Sequence, residues 1–389
     1  AVNDAAYMLF SAGFYYKTFM WPKSFWDKVY EPFIRAAAGL GVSPTENDPD
    51  TYASRYLHCD ILIVGAGPAG LAAARTAAGK GLSVVVVDEN AEMGGSILSE
   101  PQATINGTPA WDWLKSELAD LKAAGVKLMT RTTAIGYYHE NMIGMVEKLT
   151  DHLTDLPKDT PRERMWRVRA KQVVLAQGAL EKPLVFHGND RPGVMLAGSA
   201  QTYLNRYGVL VGKRPAVITS HDSAWFSAFD MQDAGAKVQA IVDTRHNVRD
   251  DLLAMARERG ITVKTGHTAT ATAGRLRVSK LRVNPVNSGT VGAGEWIGCD
   301  CVLMSGGWTP SLHLFSHTKG KLTWDEDMTT FLPDETPEDC VIAGAGRGLW
   351  GIEAVLNDGA TRATEVLEAL SAATDAPTFT VGEDRTGSG

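Results

Sequence analysis

The residues with the clearest chemical potential are three glycines in the motif GAGPAG. Gly65, Gly67 and Gly70 have the GxGxxG spacing, between the apolar segment DILIV and an Ala-rich segment. At this spacing the first glycine permits a tight turn, the second leaves room for a pyrophosphate, and the third lets a helix pack closely on a strand. Unpaired N–H groups at the helix N-terminus stabilise the same pyrophosphate. The motif therefore predicts a dinucleotide site formed by Gly65, Ala66, Gly67, Pro68, Ala69 and Gly70.

An acid at the end of the next predicted strand completes this site. Asp88 follows SVVVV, about twenty residues after the glycines, where a carboxylate accepts hydrogen bonds from an adenosine ribose. Glu89 and Asn90 come next, and Glu89 is the alternative acid for the ribose. Because a carboxylate repels a 2′-phosphate, NADP is disfavoured, and we predict a non-phosphorylated dinucleotide here.

Other segments are predicted to approach the cofactor through backbone or short side chains. They contribute Gly94, Gly95 and Ser96 in EMGGS; Thr133 and Ala134 in VKLMTRTTAIGYY; Ala176, Gln177 and Gly178 in VVLAQGA; and Gly344, Gly346 and Arg347 in AGAGRG. The Arg347 guanidinium is a candidate for binding an anionic or flavin group.

Strands and helices alternate around these motifs. Residues 60–64, the glycine turn, the Ala-rich helix and SVVVVDE form the β-α-β unit of a Rossmann fold. A second α/β unit begins with RPAVITS at 214, but Thr219, His221 and Ala224 stand where its turn needs glycines. We predict that this unit keeps the fold without a dinucleotide. The predicted class is α/β, with two Rossmann-like dinucleotide-binding domains and an aromatic-rich N-terminal segment.

The predicted domains follow from these units. The aromatic-rich segment and linker cover residues 1–55, the first dinucleotide-binding domain 56–205, the degenerate second domain 206–300, the return to the first domain 301–370, and a polar tail 371–389. The aromatic run between Phe14 and Phe33 either caps the first domain or contacts another subunit. Because the first residue is not Met and the tail is small and polar, we expect a segment of a longer chain.

Composition narrows the function classes. The 389 residues are 44% hydrophobic and 21% charged, with a net charge of -7, which disfavours nucleic-acid and anionic-membrane partners. The sequence has no stretch of 18 uncharged apolar residues, so we expect a cytoplasmic protein. The four cysteines form no CxxC pair, and the nine histidines form no HxH or HExxH pair, so we expect reduced thiols and no metal site. No residue is a convincing catalytic acid, base or nucleophile.

Several longer segments resemble the α subunit of heterotetrameric sarcosine oxidase and of related amine and imino-acid dehydrogenases. The resemblance is carried by YYKTFMWP, YEPFIRAAAGLG, DILIVGAGPAGLAAA, SGGWTPSLHLF, AGAGRG and the long segment VVLAQGALEKPLVFHGNDRPGVMLAGSAQTYLNRYGV. It implies a flavoprotein with two dinucleotide-binding domains that binds NAD in the first site and shares an FMN with a β subunit. It also implies γ and δ subunits, in a complex that oxidises a small secondary amine on the β subunit. Gln177 departs from the Thr of many flavoprotein reductases. The family's ferredoxin-like and folate-binding extensions are also absent from these residues.

Two other functions remain open at this point. The chain is a stand-alone reductase if FAD occupies Gly65–Gly70 and NAD(P)H occupies residues 214–243, although the second glycine turn is missing. It is a non-catalytic scaffold if both sites are vestigial, although the first glycine set is intact. The resemblance favours a cofactor-holding subunit.

Overall fold

The computed structural model describes residues 19, 21–39, 41, 44–155, 157, 159–287 and 289–385. The chain forms two compact units, residues 1–50 and residues 51–389. In the first unit, a 3-10 helix (Lys23–Phe25) and a π-helix (Trp26–Tyr30) lead into helix α1 (Glu31–Ala37). The ring of Phe19 packs edge-on against Tyr30 at 5.3 Å between centroids. Residues 14–18 and 20 of the aromatic run lie outside the described residues.

The second unit contains the predicted alternation of strands and helices. Its helices are α2 (Pro68–Ala77), α3 (Ala110–Ala123), α4 (Ala197–Tyr207), α5 (Ser223–Asp233), α6 (Asp250–Glu258), α7 (His313–His317) and α8 (Ile352–Ala369). Its strands are β1 (Tyr52–Val64), β2 (Val84–Val87), β3 (Thr104–Ile105), β4 (Thr108–Pro109), β5 (Lys127–Met129), β6 (Thr132–Tyr138), β7 (Met142–Lys148), β8 (Glu163–Leu175), β9 (Ala179–Glu181), β10 (Val194–Leu196), β11 (Pro215–Thr219), β12 (Ala240–Asp243), β13 (Val263–Thr265), β14 (His267–Ala273), β15 (Lys280–Asn287), β16 (Thr290–Val291), β17 (Glu295–Gly298), β18 (Cys301–Ser305), β19 (Trp308–Pro310), β20 (Leu322–Asp325), β21 (Thr330–Pro333), β22 (Cys340–Ile342) and β23 (Val381–Gly382).

A seven-stranded sheet forms the centre of the first dinucleotide-binding domain. Its order is β5-β2-β1-β8-β7-β6, with β22 also paired to β8. β5, β2, β1 and β8 are parallel, as are β8 and β22. Where β1 and β2 pair, their sequences are ILIV and VVVV, and all of these residues are buried. A parallel strand is apolar on both sides when other elements of the domain cover both faces of its sheet. The Rossmann opening predicted from residues 60–88 is therefore present.

Helices α2 and α8 pack closely over this sheet. At Gly359 in α8, a Cβ atom would lie only 2.2 Å from the carbonyl oxygen of Ala69 in α2, so only glycine allows this approach. The apolar face of α8, including Leu356, Ala360 and Ala363, is buried against the same core as Leu71 and Ala72. The C-terminal helix thus fixes the start of α2 beside the glycine turn.

The second domain is a smaller parallel sheet of order β10-β18-β11-β12-β13. Helices α4, α5 and α6 cover it, with Trp225 and Phe229 of α5 fully buried. The sheet includes 194–196 and 301–305, whereas the predicted second domain ran from 206 to 300. The first part of the difference is β10, a short strand at the edge of this sheet. The second is β18, which pairs with β11 although the antiparallel strands β14–β17 separate the two along the chain. No helix among the described residues is long and apolar enough to cross a membrane.

Candidate functional site

One cavity of about 970 Å³ lies where the parallel strands of the first domain end. Val64 at the end of β1, Val87 at the end of β2 and Ala176 directly after β8 line it. Ligands of open α/β sheets bind outside the carboxyl ends of the strands, so this is the expected position of a site. Residues of the second domain and of the segment 343–351 also line the cavity.

The glycine turn has the geometry predicted from its spacing. Gly65 has a φ of 102°, and a Cβ atom there would lie 2.2 Å from the carbonyl oxygen of Ala176. A Cβ on Gly70 would lie 1.9 Å from the carbonyl oxygen of Gly65. At Gly67, by contrast, the nearest protein atom to a Cβ is 3.9 Å away, on Gly95. Two of the glycines therefore serve packing, while Gly67 leaves an open space beside the N-terminus of α2.

The two acids after β2 have different surroundings. The Asp88 carboxylate is buried, and it accepts hydrogen bonds from the Ala66 N–H at 2.8 Å and the Asn90 N–H at 2.9 Å. The hydrogen bond from Ala66 to Asp88 thus stabilises the conformation of the glycine turn. Glu89 is exposed and lines the cavity, and its carboxylate makes no hydrogen bond or ion pair within the described residues. Glu89 consequently has more hydrogen-bonding capacity left for a ligand than Asp88 has.

The structure brings most of the predicted site residues to this cavity. Its lining includes Gly65, Gly67, Pro68, Ala69, Asp88, Glu89, Asn90, Gly95, Ser96, Thr133, Ala134, Ala176, Gln177 and Gly178. Ala66, Gly70, Gly94, Gly344, Gly346 and Arg347 are not part of the lining. Of these, Ala66 and Gly94 still shape the turn, because the Gly94 N–H donates to the Ala66 carbonyl at 2.8 Å.

Arg347 is placed away from the cavity by an ion pair. Its guanidinium lies 2.5 Å from the Asp358 carboxylate of α8, which also accepts the Gly344 N–H at 2.7 Å. The arginine therefore ties the 3-10 helix Gly344–Arg347 to α8. The contact of Arg347 with an anionic or flavin group stays a prediction.

The polar part of the cavity lining was not predicted from the sequence. It is formed by polar and aromatic side chains from distant segments: Glu100, Glu181, Gln201, Thr202, Tyr203, Arg206, Ser223, Trp308 and Arg385. These residues have no motif spacing, because they converge only when the second domain packs against the first. The one usable signal was the polar face of the helix Ala197–Tyr207, where Gln201, Asn205 and Arg206 recur at helical spacing.

Two buried carboxyl groups belong to this polar part of the lining. Burial raises the pKa of Glu100 to about 7, against the opposing effect of Arg385. Burial also raises the pKa of Glu181 to about 7, although its carboxylate accepts the Gly198 N–H at 2.9 Å at the start of α4. Carboxyl groups with such shifted pKa values change charge near neutral pH.

The turn of the second domain is closed by its own side chains. Asp243 at the end of β12, the position equivalent to Asp88, is fully buried and accepts hydrogen bonds from the Trp225 indole at 2.9 Å and from Arg245. Arg245 also pairs with Asp222 at 2.6 Å. Burial lowers the pKa of His221, whose ring contacts the Ser223 hydroxyl. The acid and the turn are thus occupied by internal contacts, in agreement with the missing glycines.

Thiol and metal chemistry have no support among the described residues. None of the cysteines lines the cavity, and burial raises the pKa of both Cys59 and Cys301 to about 12. Such thiols remain protonated and unreactive at neutral pH. In the part of the chain that the structure describes, no group of His, Cys, Asp or Glu residues is arranged to hold a metal ion.

Comparison with known proteins identifies the family. The family model for pyridine nucleotide-disulphide oxidoreductases matches residues 59–336. The chain belongs to this family. Sarcosine oxidase subunit alpha of Rhizobium meliloti (strain 1021) is 42% identical over 371 residues, which are 95% of this chain and 36% of that protein. The chain therefore spans about a third of the length of this relative, and its resemblance to sarcosine oxidase α subunits is confirmed.

Solved structures show the same fold for this member of the pyridine nucleotide-disulphide oxidoreductase family. L-proline dehydrogenase from P. horikoshii matches 86% of this chain and 59% of its own, with a TM-score of 0.61 and 19% identity. Thioredoxin reductase from T. acidophilum matches 81% of this chain and 99% of its own, with a TM-score of 0.59 and 19% identity. The two-domain α/β flavoprotein fold predicted from the sequence is confirmed.

Proposed function

We propose that the chain is the cofactor-holding part of the α subunit of a sarcosine oxidase-like complex. The complex would catalyse the oxidative demethylation of sarcosine or a related secondary amine. The observation that carries this proposal is the open space at Gly67 in an otherwise closely packed glycine turn, in a chain 42% identical to a sarcosine oxidase α subunit. The turn is shaped for a pyrophosphate, which supports a bound dinucleotide over a vestigial scaffold.

NAD is the proposed occupant of the first site. The N-terminus of α2, with Gly67, Pro68 and Ala69, would bind the pyrophosphate, and Glu89 would accept a hydrogen bond from the adenosine ribose. Asp88 would keep the turn in shape and add a second negative charge, and both charges disfavour a 2′-phosphate. FAD remains the alternative occupant, because its ADP half has the same requirements.

FMN is proposed to lie between this subunit and a β subunit. Exposed tyrosines support such a contact, since Tyr203 and Tyr207 line the cavity and are 49% and 60% exposed. A flavin shared at that surface would supply electron transfer, while this chain would bind and shield one side of it. The β subunit is the proposed place of amine oxidation, and γ and δ subunits are proposed to complete the complex.

A stand-alone reductase is the less supported alternative. In that function a second nucleotide would bind between β11 and β12, where Arg245, Asp222 and Asp243 instead bind one another. No cysteine faces the cavity to accept electrons from a flavin in the described residues. Open space for a nucleotide at the first turn, and not at the second, favours a subunit that works with a partner.

Reconstitution tests the proposal. The isolated chain should not oxidise sarcosine or another secondary amine, because amine oxidation is proposed to take place on the β subunit. Mixing it with its β-like partner should restore FMN retention and amine-dependent oxygen consumption together. Amine turnover by the chain alone would contradict the division of labour, as would a mixture in which neither property returns although both proteins are folded.

A further inference from the structure

Helix α4 and the segment 92–102 both line the cavity, and their side chains are in direct polar contact. The Gln201 amide donates to the Glu100 carboxylate at 3.0 Å, and the Asn205 amide donates to the Ser99 carbonyl at 2.9 Å. The hydroxyl groups of Ser99 and Thr202 lie 3.3 Å apart. Arg206 pairs with Glu92 at 2.7 Å. Successive turns of one helix are thus attached to one loop.

Two of the same side chains of α4 also bind helix α5. Asp230 of α5 accepts hydrogen bonds from Gln201 at 3.1 Å and from Asn205 at 2.8 Å. Its other oxygen lies 2.6 Å from Arg385, which also donates to Gln102 at 2.9 Å. The contacts therefore close into a ring that starts and ends in the segment 92–102.

This segment also forms the wall beside the glycine turn. The Gly94 N–H donates to the Ala66 carbonyl, and a Cβ on Gly95 would lie 2.8 Å from the Gly67 Cα. The ring therefore joins α4 to the segment that lies beside the predicted pyrophosphate position. Its members Glu92, Ser99, Glu100, Gln201, Thr202, Arg206 and Arg385 line the cavity themselves.

We propose that this ring is a latch between the two dinucleotide-binding domains, and that it must open for a dinucleotide to enter or leave the cavity. The latch consists of Glu92, Ser99, Glu100, Gln102, Gln201, Thr202, Asn205, Arg206, Asp230 and Arg385. The inference rests on the proposed dinucleotide in the first site. With the latch closed, the two walls of the cavity are held together over the ligand, so the opening rate limits release.

Charge makes the latch sensitive to pH. Glu100 is 3% exposed, and it faces Arg385 as well as the like charges of Asp230 and Asp384. Its second oxygen and the Arg385 Nε have no hydrogen-bond partner in the described residues, and they lie 3.8 Å apart. The Arg385 guanidinium thus neutralises the charges of Asp230 and Glu100 only in part. Ionisation of Glu100 therefore destabilises the closed form of the latch.

The sign follows from the direction of the shift. Burial raises the pKa of Glu100 from 4.5 to about 7 in the closed form. The closed form therefore binds this proton more tightly than an open, hydrated form. Opening becomes more favourable as the pH rises from about 4.5 to about 7 and changes little above that range. If opening lowers the pKa of Glu100 by one unit, release is about tenfold faster at pH 8 than at pH 5.

A disulfide across the latch provides the first test. Ser99→Cys with Thr202→Cys places thiols where the two hydroxyl groups are 3.3 Å apart. The full chain is loaded with radiolabelled NAD, oxidised, and diluted into unlabelled NAD. The oxidised double variant should release label at least about tenfold more slowly than the same protein after reduction, and each single variant should be indifferent to redox state. Equal release from both forms of the double variant would overturn the latch.

Glu100→Gln provides the second test. It keeps the hydrogen bond to Gln201 and removes the charge, so release should become nearly independent of pH between about 5 and 8. Glu117→Gln is the matched control, because Glu117 is equally buried at 3% exposure, has a pKa raised by burial and does not line the cavity. The control should retain the wild-type pH dependence. If Glu100→Gln retains it as well, the proposed role of Glu100 is wrong.

Failure of the latch and failure of the dinucleotide site give different results. If NAD does not bind the wild-type chain, the proposed function fails, and the latch is then measured by amide hydrogen exchange of residues 92–102 and 197–207. Exchange in both segments should be slower in the oxidised double variant, and faster at pH 8 than at pH 5 after correction for the intrinsic rate. If NAD binds but neither release nor exchange responds, the latch alone is refuted.

Discussion

Substitution of Gly67 separates binding of the cofactor from stability of the fold. Gly67 precedes α2 with a φ of -74°, which any residue adopts, and a Cβ there meets no protein atom closer than 3.9 Å. Gly67→Ala should therefore change the free energy of unfolding by no more than about 1 kcal/mol, the usual difference between glycine and alanine at a helix N-cap. The new methyl group fills the space that the pyrophosphate needs.

The expected loss of affinity follows from overpacking. Forcing an extra carbon into a close-packed contact costs about 1–3 kcal/mol, which corresponds to roughly 5- to 150-fold weaker NAD binding. Gly67→Val should weaken binding further and expel the cofactor. Equilibrium dialysis with radiolabelled NAD and urea denaturation measure the two effects on the same protein.

Gly65→Ala is the matched control for this prediction. Its φ of 102° and the 2.2 Å approach of its Cβ to the Ala176 carbonyl predict a loss of stability as well as of binding. Unchanged NAD affinity in both Gly67 variants would show that the pyrophosphate does not lie at this turn and would refute the reasoning.

Three further predictions concern the acids and the second domain. Asp88→Asn should lower the free energy of unfolding by about 1–3 kcal/mol, because Asp88 accepts the Ala66 N–H on one oxygen and the Asn90 N–H on the other, and an amide has only one accepting oxygen. Glu89→Gln should leave stability unchanged and reduce the preference for NAD over NADP. Denaturation and binding titrations check both, and the reverse pattern would exchange the two roles. NADH added to the isolated chain should not reduce a bound flavin, because Asp243 and Arg245 close the second turn; rapid anaerobic bleaching would contradict this. Glu181→Gln should stabilise the chain by up to about 3 kcal/mol at pH 8 and little near pH 4. Burial raises the pKa of Glu181 from 4.5 to about 7, so ionisation of this group opposes folding as the pH rises. Urea denaturation at both pH values measures the difference, and an equal effect at both would contradict the prediction.

The sequence was most informative where function depends on local backbone geometry. The positive φ of Gly65 and the open side of Gly67 follow from a tight turn between a buried strand and a helix, and the motif GAGPAG encodes that turn within six residues. The degenerate second turn was predicted for the same reason. Each prediction needed only neighbouring residues.

Contacts between distant segments could not be predicted in this way. The pairing of Arg347 with Asp358 depends on how α8 packs, and nothing in AGAGRG indicates it. The short edge strand Val194–Leu196 joins the second sheet only by pairing with β18, more than a hundred residues away along the chain. The polar wall formed by Glu100, Gln201 and Arg385 arises from the packing of one domain on the other.

The nucleotide content of the purified chain tests the central claim most directly. The protein is denatured with acid after gel filtration, and the released nucleotides are identified and quantified by mass spectrometry, for the chain alone and for the chain with its β-like partner. We predict one NAD per chain in both samples, with FMN retained only in the presence of the partner. NADP as the bound species, or the absence of any dinucleotide from a folded chain, would contradict the proposed first site.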